Sequence, residues 1–545
     1  MNLINMRRKL VLLIILFCTV GMMTAQPLNL AKGTYGMDKS KRIVVLTGQE
    51  NGVETCVVEG ETYKLFRTTL PIINIHTDGE IVNSPAVHGI ISVSDSDGSV
   101  IEMHAGFKIR GTSSQQYDKK SYRVELWTDA TGSAIADTAF LGMRSDDDWN
   151  LEAMYNQPLR LRNKIANDLW REIYQLPYQA SEPEAASSVS MKYADLFVND
   201  AYMGIYTLSE RVDRKLLGLR KYNGNIRGVL YKGNGPGAPS FESLPPYDNG
   251  SDEWDQFEWV YPNEADSVVD WSSLYSFVNF VMNSTNNAFY SQYATMFERD
   301  NAIDYYIFIN VLKALDNMDR NTFIARYKKS SAYFYVPWDL DAVLGNDNEG
   351  LHAYSASGLM SNGFFDRLSD DCSANGFAAL VKTRYNTLRQ DVLTQAYIME
   401  KIRGQYEELV SVGAYERETE AWPEYQVNEG ELDYIADWLE RRLYYLDVEL
   451  NGDCGTWDSK EILDSRFVEV FPNPAKDRIN LRFGEAVSGG ASICMYDMTG
   501  RMVYSANTTD QAISITTSGL PNGLFTLVIQ TRDERVVERV MVSAN

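Results

Sequence analysis

Between Leu70 and Leu450 the hydrophobic period of the chain changes, and that change restricts the folds open to it. In the first half apolar residues alternate in short runs, at Leu70–His76, Gly89–Val93, Gly106–Arg110 and Ser121–Leu126. A helical stretch follows, with Leu161, Ile165, Leu169 and Ile173 on one face, and then Tyr193–Val198 and Gly204–Leu208 flank the turn Asn199-Asp200. A period of two marks half-buried strands and a period of 3.6 marks helices. After Asp270 the helical period dominates, through Ala314 and again from about Gly363 to Leu450. Strands first and helices second predict an α+β unit of two lobes. Gly233 to Asp252, rich in Gly, Pro and Ser, reads as a surface loop, and Gln26 to Phe66 as a leader or a short strand pair.

The chain ends carry signals of a different kind. Arg7-Arg8-Lys9, the apolar run Leu10–Val20 and Met23-Thr24-Ala25 have the order of a secretory signal peptide over residues 1–25. Phe17 stands before Cys18 where a lipobox needs a small residue, which favours soluble export. No later run approaches the roughly 20 apolar residues that span a bilayer, so no transmembrane segment is expected after signal cleavage. The formal charge of −23, carried even with the signal's three cations in place, opposes nucleic acid and anionic lipid as general partners. Beyond the signal only Cys56, Cys372, Cys454 and Cys494 remain, too widely spaced for a zinc site or a disulfide framework, although Cys372 and Cys454 could form a bridge. The four histidines (His76, His88, His104, His352) argue against a His-based metal centre or hydrolase triad.

Past the midpoint the acids fall in a suggestive order. Asp300 can cap a helix whose residues Ile303, Ile307, Asn310, Val311 and Ala314 share one face. Asp316 follows the helix and Asn321 comes five residues later. Two strand-forming runs, Thr322–Ala325 and Ala332–Val336, lie around a basic turn and lead to Asp339-Leu340-Asp341. Helix, loop, hairpin and acid is an order that can bring oxygen ligands together. An Asp, an Asn five residues on and a further Asp is how protein kinases arrange a base and metal ligands. Read alone, the same residues are ordinary turn formers.

Further blocks make the pattern specific. They are Phe107–Ser114 with Lys119–Arg123, Asp147-Asp148-Trp149, Arg162-Asn163-Lys164, Tyr202–Tyr206 with Ser209-Glu210-Arg211, and Asp316–Asn321 with Pro337–Asp341. In order and spacing these resemble the CotH kinase family. The resemblance implies an atypical protein-kinase-like domain that uses ATP with Mg²⁺ or Mn²⁺ to phosphorylate Ser or Thr of exported or cell-surface proteins. It implies Asp316 as catalytic base, Asp339 as principal metal ligand with Asn321 and Asp341 beside it, and Lys120 as the phosphate-pairing lysine. Ser113 and Ser114 would lie over the phosphates; Arg110 and Glu210 match further nucleotide-side positions, and Arg162 and Glu210 each either contact nucleotide or brace a lobe. Asp319-Arg320 departs from the pattern: the two could pair with each other, or Asp319 could compete for the metal.

A polar linker, 453–465, separates the 67–452 domain from an all-β stretch, 466–545, with seven short strand signals between Phe467 and Val542 that suit a small Ig-like sandwich. Phe471-Pro472-Asn473-Pro474, Tyr496-Asp497 with Gly500-Arg501, and Leu520–Leu524 resemble the C-terminal sorting domain of the type IX secretion system. That resemblance implies a Bacteroidetes-type bacterium, contact with the type IX machinery, delivery to the outer-membrane surface and removal of the domain there. Two other classes remain open from the sequence. One is a surface adhesin or scaffold on a kinase-like fold without turnover, favoured by the scarcity of ATP outside the cell. The other is a glycan hydrolase with paired carboxylates, for which no suitable pair is evident.

Overall fold

The alternating segments of the first half close on themselves. In the computed structural model, which describes residues 34–263 and 268–454 and, of the C-terminal part, 468–471, 475–483, 490–497, 501–510, 512–530 and 535–542, the chain separates into two compact units, Met1–Trp457 and Asp458–Asn545. The signal segment 1–25, most of the linker, Pro472–Pro474 and the turn Met498–Gly500 lie outside the described residues.

The first unit contains a closed barrel of Ile72–Thr77, Val87–Ser94, Val100–Arg110, Ser121–Trp127, Asp148–Glu152, Met191–Val198 and Ala201–Ser209. Its interior is filled by one side of each strand's alternation, including Ile73, Ile75, Phe107, Val124, Trp149, Leu196 and Leu208. Closure depends on Asp148–Glu152, which pairs with Ser121–Trp127 on one side and Ala201–Ser209 on the other. Three consecutive acids, Asp146 to Asp148, disguise this strand in the sequence as a hydrated or capping loop. The segment before the barrel is more than a strand pair. It is a four-stranded sheet whose Ile43, Val45 and Phe66 pack against Ile72, Phe197 and Tyr202.

In the helical half, Arg299–Leu312 is buried from Asn301 to Leu312 on every side, where the sequence predicted a single apolar face. Glu298, not Asp300, holds the N-cap position, and Asp300 sits in the first turn, where its charge suits the helix dipole. The expected hairpin forms from Arg320–Arg326 and Tyr333–Pro337 with Thr322 opposite Pro337, and it is extended into a five-stranded sheet by Val229–Asn234, Phe257–Tyr261 and Glu253–Trp254. The stretch read as a surface loop contributes Ala238 and Phe241 to the core.

Cys372 and Cys454 form a disulfide that closes a loop of 82 residues with Cα atoms 5.4 Å apart. For a loop of that length the cross-link should contribute about 4 kcal/mol by restricting the unfolded chain. Reduction should lower the urea midpoint accordingly, and a Cys372→Ser variant should be insensitive to reductant.

The second unit places Glu469–Phe471, Arg478–Arg482 and Ala512–Thr516 in one sheet and Met502–Thr508, Ala491–Tyr496, Gly523–Gln530 and Arg535–Val542 in another. Ile479, Leu481, Ile493, Ile515, Leu527 and Ile529 form their shared core. Among the described residues no helix is long and apolar enough to cross a membrane.

Candidate active site

The helix Arg299–Leu312 stops at Lys313, which takes the left-handed conformation (φ 51°) common at helix ends. Two residues later a 3-10 turn, Leu315–Met318, carries Asp316. Asn317 in this turn is buried and does the joining. Its Nδ2 donates to the carbonyls of Asn321 at 2.5 Å and Trp338 at 2.8 Å, while its own carbonyl accepts from the Tyr305 hydroxyl at 2.7 Å. The Asp316 turn is thereby sewn to both ends of the hairpin, and Trp338 N–H closes the stitch on the Asn321 carbonyl at 3.0 Å.

Asn321 and Asp339 both adopt positive φ, 50° and 55°. Asn and Asp are the side-chain-bearing residues best suited to this region, where each position costs of order 1 kcal/mol. Strain of this kind gathers at sites that the surrounding structure holds in place. Leu340 N–H donates to Asn163 Oδ1 at 3.0 Å, which anchors the Asp339–Asp341 segment on the helix Arg162–Ile173.

Asp316 and Asp341 are linked through two amides. Asn348 Nδ2 donates to Asp316 Oδ2 at 2.9 Å, and Asn156 Nδ2 donates to the Asn348 carbonyl at 2.6 Å and to Asp341 Oδ2 at 2.8 Å. Gly350 lies so close behind that an added Cβ would come within 1.8 Å of the Asn156 carbonyl. Burial pushes the Asp341 carboxyl up to about 7, and the nearby Asp339 and Asp316 charges push in the same direction.

The barrel supplies the opposing cation. Arg110 ends the strand Val100–Arg110 opposite Ser121, whose Oγ accepts from Ala153 N–H at 2.9 Å, so Arg110 and Glu152 meet at the same barrel end. They form an ion pair, 19% and 9% exposed. Burial works against the Arg110 charge, but Glu152, Asp339 and Asp341 outweigh it and raise its pKa. Burial and Asp339 raise Glu152 despite Arg110. The Arg110 guanidinium also lies 5.6 Å from the Trp338 ring centre.

The structure therefore brings Arg110, Asp316, Asp339 and Asp341 into one electrostatic neighbourhood, with Asn321 joined to it through its backbone. Lys120 and Glu210 are placed otherwise. Lys120 Nζ donates to the carbonyls of Gln115, at 2.8 Å, and Tyr117, and so bolts down the 3-10 turn Ser113–Gln116. Glu210 accepts from the backbone N–H of Ser190 at 2.7 Å and of Arg144 at 3.2 Å, a bracket between strands. Ser114 packs against Gly111 (φ +95°), where a Cβ would fall 1.9 Å from its Oγ; Ser113 opens the turn, and its side chain lies outside the described set. Arg162 is a brace, donating to the Val343 carbonyl and Asn346 Oδ1 at 3.0 Å each and pairing with Glu431. Arg320 Nε lies 3.4 Å from Asp319 and 4.0 Å from Asp316.

Glu152, Asn156, Asn317 and Asn348 went unnoticed in the sequence. Only Glu152 left a signal there, as the residue ending a period-two run through Trp149 and Leu151. Beside Asn156 opens a cleft of about 560 Å³ lined by Tyr117, Tyr155, Arg160, Glu349 and Tyr425, with the Tyr117 and Tyr155 rings stacked at 4.9 Å. The oxygens of Asp316, Asp339 and Asp341 do not crowd to one point. Among the described residues, three carboxylates come within 4.8 Å of one another at Asp137, Asp146 and Asp147. There Lys215 Nζ already sits 2.5 Å from Asp137 and 2.7 Å from Asp146 and also contacts Asp147, which makes that cluster an ion-pair network.

The acid-rich helix–hairpin junction, faced by the Arg110–Glu152 pair, lies within a stretch whose family is shown by comparison. The family model described as CotH kinase protein matches residues 107–446, and the chain belongs to that family. Residues 469–543 match the secretion system C-terminal sorting domain. That tail indicates handling by the type IX secretion machinery, secretion and surface attachment. Inner spore coat protein H of Bacillus subtilis (strain 168) is 23% identical over 346 residues, covering 63% of this chain and 86% of the relative. Two solved structures share small parts of the chain. A DUF3244 family protein with an immunoglobulin-like β-sandwich fold from Bacteroides vulgatus is 18% identical over 14% of this chain and 82% of its own, with a TM-score of 0.13. PorZ of Porphyromonas gingivalis is 19% identical over 16% of this chain and 13% of its own, with a TM-score of 0.14.

Proposed function

We propose that this chain is a secreted, kinase-like phosphotransferase that moves the γ-phosphate of ATP to Ser or Thr of exported or surface proteins, itself included. The observation that carries the reading is the meeting of Asp316, Asp339 and Asp341 from the helical half with the Arg110–Glu152 pair from the barrel. In this reading the barrel and the helical half are the two lobes. Asp316, at the surface of its turn, accepts the proton of the attacking hydroxyl. Arg110 faces phosphate oxygens, and Glu152 orients it, as an ion pair orients the phosphate-binding cation of protein kinases. Asp339, Asp341 and the Asn321 amide are hard oxygen donors of the kind that suit Mg²⁺ or Mn²⁺. Burial first, and then the Asp339 and Asp316 charges, push Asp341 up, and a bound cation would offset that cost. A bound divalent ion would neutralise charge on the triphosphate. A Sec signal at residues 1–25 and surface removal of the tail complete the proposal.

One observation favours a second reading, a surface scaffold without turnover: the amide of Asn348 already occupies an oxygen of Asp316. A single experiment separates the two. Purified full-length chain with labelled ATP and Mg²⁺ or Mn²⁺ should yield phosphoprotein, and ATP with Mg²⁺ should raise the melting temperature. No transfer and no shift with either ion would leave the scaffold reading standing.

A further inference from the structure

Half of the chain's four histidines meet on the outer face of the barrel. His88 pairs across the sheet with Gly106 and His104 with Ile90, which makes the two rings diagonal neighbours on one face. Both are half-buried. Trp127 stands opposite His104, and its ring crosses Gly106, where an added Cβ would come within 2.2 Å of it. The indole lies nearly parallel to the His88 ring, at 10° and 6.1 Å between centres. The bare glycine thus lets an aromatic wall stand beside the imidazoles.

The hydrogen bonds point the nitrogens at one another. His88 Nδ1 lies 2.6 Å from Asp78 Oδ2, and a carboxylate there fixes the proton on Nδ1. This leaves the lone pair of His88 Nε2 directed at His104 Nδ1, 3.1 Å away. A carboxylate holding the far N–H is the usual outer partner of a metal-binding imidazole. With metal–nitrogen bonds of ~2.0–2.1 Å, two ligand nitrogens stand about 2.9 Å apart at a right angle and about 3.4 Å apart in a tetrahedron. The observed separation lies between these values. Without metal, His104 Nδ1–H donates to His88 Nε2. Moving that proton to His104 Nε2 frees a second lone pair with no change in net charge.

We propose that His88 and His104, with Asp78 orienting His88, form an open binding site for a late first-row divalent cation, filled most tightly by Cu²⁺. Two neutral imidazole nitrogens select Cu²⁺, Ni²⁺ or Zn²⁺ over Mg²⁺ and Ca²⁺, and Cu²⁺ stands at the top of the affinity order. Water or an external ligand would complete the coordination. The site shares no residue with the acid cluster, so it stands or falls independently of phosphoryl transfer.

The test is Cu²⁺ titration of the full, untagged chain, followed by calorimetry and electron paramagnetic resonance. One Cu²⁺ per chain with nitrogen superhyperfine structure is expected. His88→Gln with His104→Gln, which keeps side-chain bulk, should abolish the nitrogen signal without moving the metal-free melting temperature. Asp78→Asn should weaken binding ~10-fold, and His76→Ala or His352→Ala should leave it unchanged. Oxygen-only coordination, absence of stoichiometric binding, or a nitrogen signal that survives the double variant would overturn the assignment, leaving the pair as a hydrogen bond that pins two strands.

Discussion

Replacing Asp339 by Ala should reduce phosphoryl transfer by about 10³-fold or more, the result of losing roughly 4 kcal/mol of transition-state stabilisation. Asp339 lies just past the hairpin in a left-handed conformation (φ 55°) and is electrostatically coupled to Arg110, Glu152 and Asp341 at once. It therefore acts on the cation and on both neighbouring acids. Its removal would lose a cation ligand and the charge that helps to hold Arg110 in place. Asp316→Asn should cost a comparable factor by a different route, since the amide keeps the Asn348 contact but cannot accept a proton. Nucleotide binding separates the two: the melting shift with ATP and Mg²⁺ should vanish in Asp339→Ala and persist in Asp316→Asn. Asp137→Asn, in the remote network around Lys215, should transfer phosphate at the wild-type rate. Full activity in Asp339→Ala would remove this residue from the site.

The largest effect on stability should come from Glu418→Ala, about 3–5 kcal/mol of destabilisation read from urea unfolding. Glu418 is fully buried on the short helix Ala414–Ala421 and accepts from Lys119 Nζ at 2.6 Å, from Arg160 at 3.0 and 3.1 Å, and from Ile205 N–H at 2.7 Å. Removing it leaves the buried Arg160 guanidinium without its anion and the Lys119 and Ile205 donors without their acceptor. The carboxylate fits because position 204 is glycine (φ +86°), where a Cβ would come 2.2 Å from Glu418 Oε2. Burial pulls Lys119 down to about 7 from its ordinary 10.5, against the opposing pull of Glu418. Between those values the unfolded chain binds the extra proton, so stability should rise with pH from about 7 toward 10.5 and show none of this gain below. Comparing urea midpoints at pH 7 and pH 9 checks the sign, and the slope should steepen in Glu418→Ala.

The positions of Asp316, Asn321 and Asp339 were legible because apolar alternation bounds the hairpin and turn-forming residues punctuate it. The barrel strands could be read the same way, apart from Asp148–Glu152, where the acids Asp146 to Asp148 ahead of the short Trp149 and Leu151 alternation read as a loop. Lys120 illustrates what periodicity does not reach. Continued strand alternation would put it on the same face as Tyr122, but the strand begins at Ser121, and ahead of it the chain turns. Tyr122 enters the barrel core, Lys120 caps its own turn, and the neighbouring Lys119 is the lysine that becomes buried. Asn156 and Asn348 carry no local pattern, because their partners Asp341 and Asp316 lie 185 and 32 residues away.

The buried partnership of Glu418 with Lys119 and Arg160 also bears on export. The carboxylate lies 299 residues after the lysine and 258 after the arginine. A chain threaded through a membrane from its N-terminus delivers the two cations long before their counter-ion. In a chain delivered in that order, Lys119 and Arg160 would lack their anion until the helix Ala414–Ala421 followed, so the packing around them would be completed late.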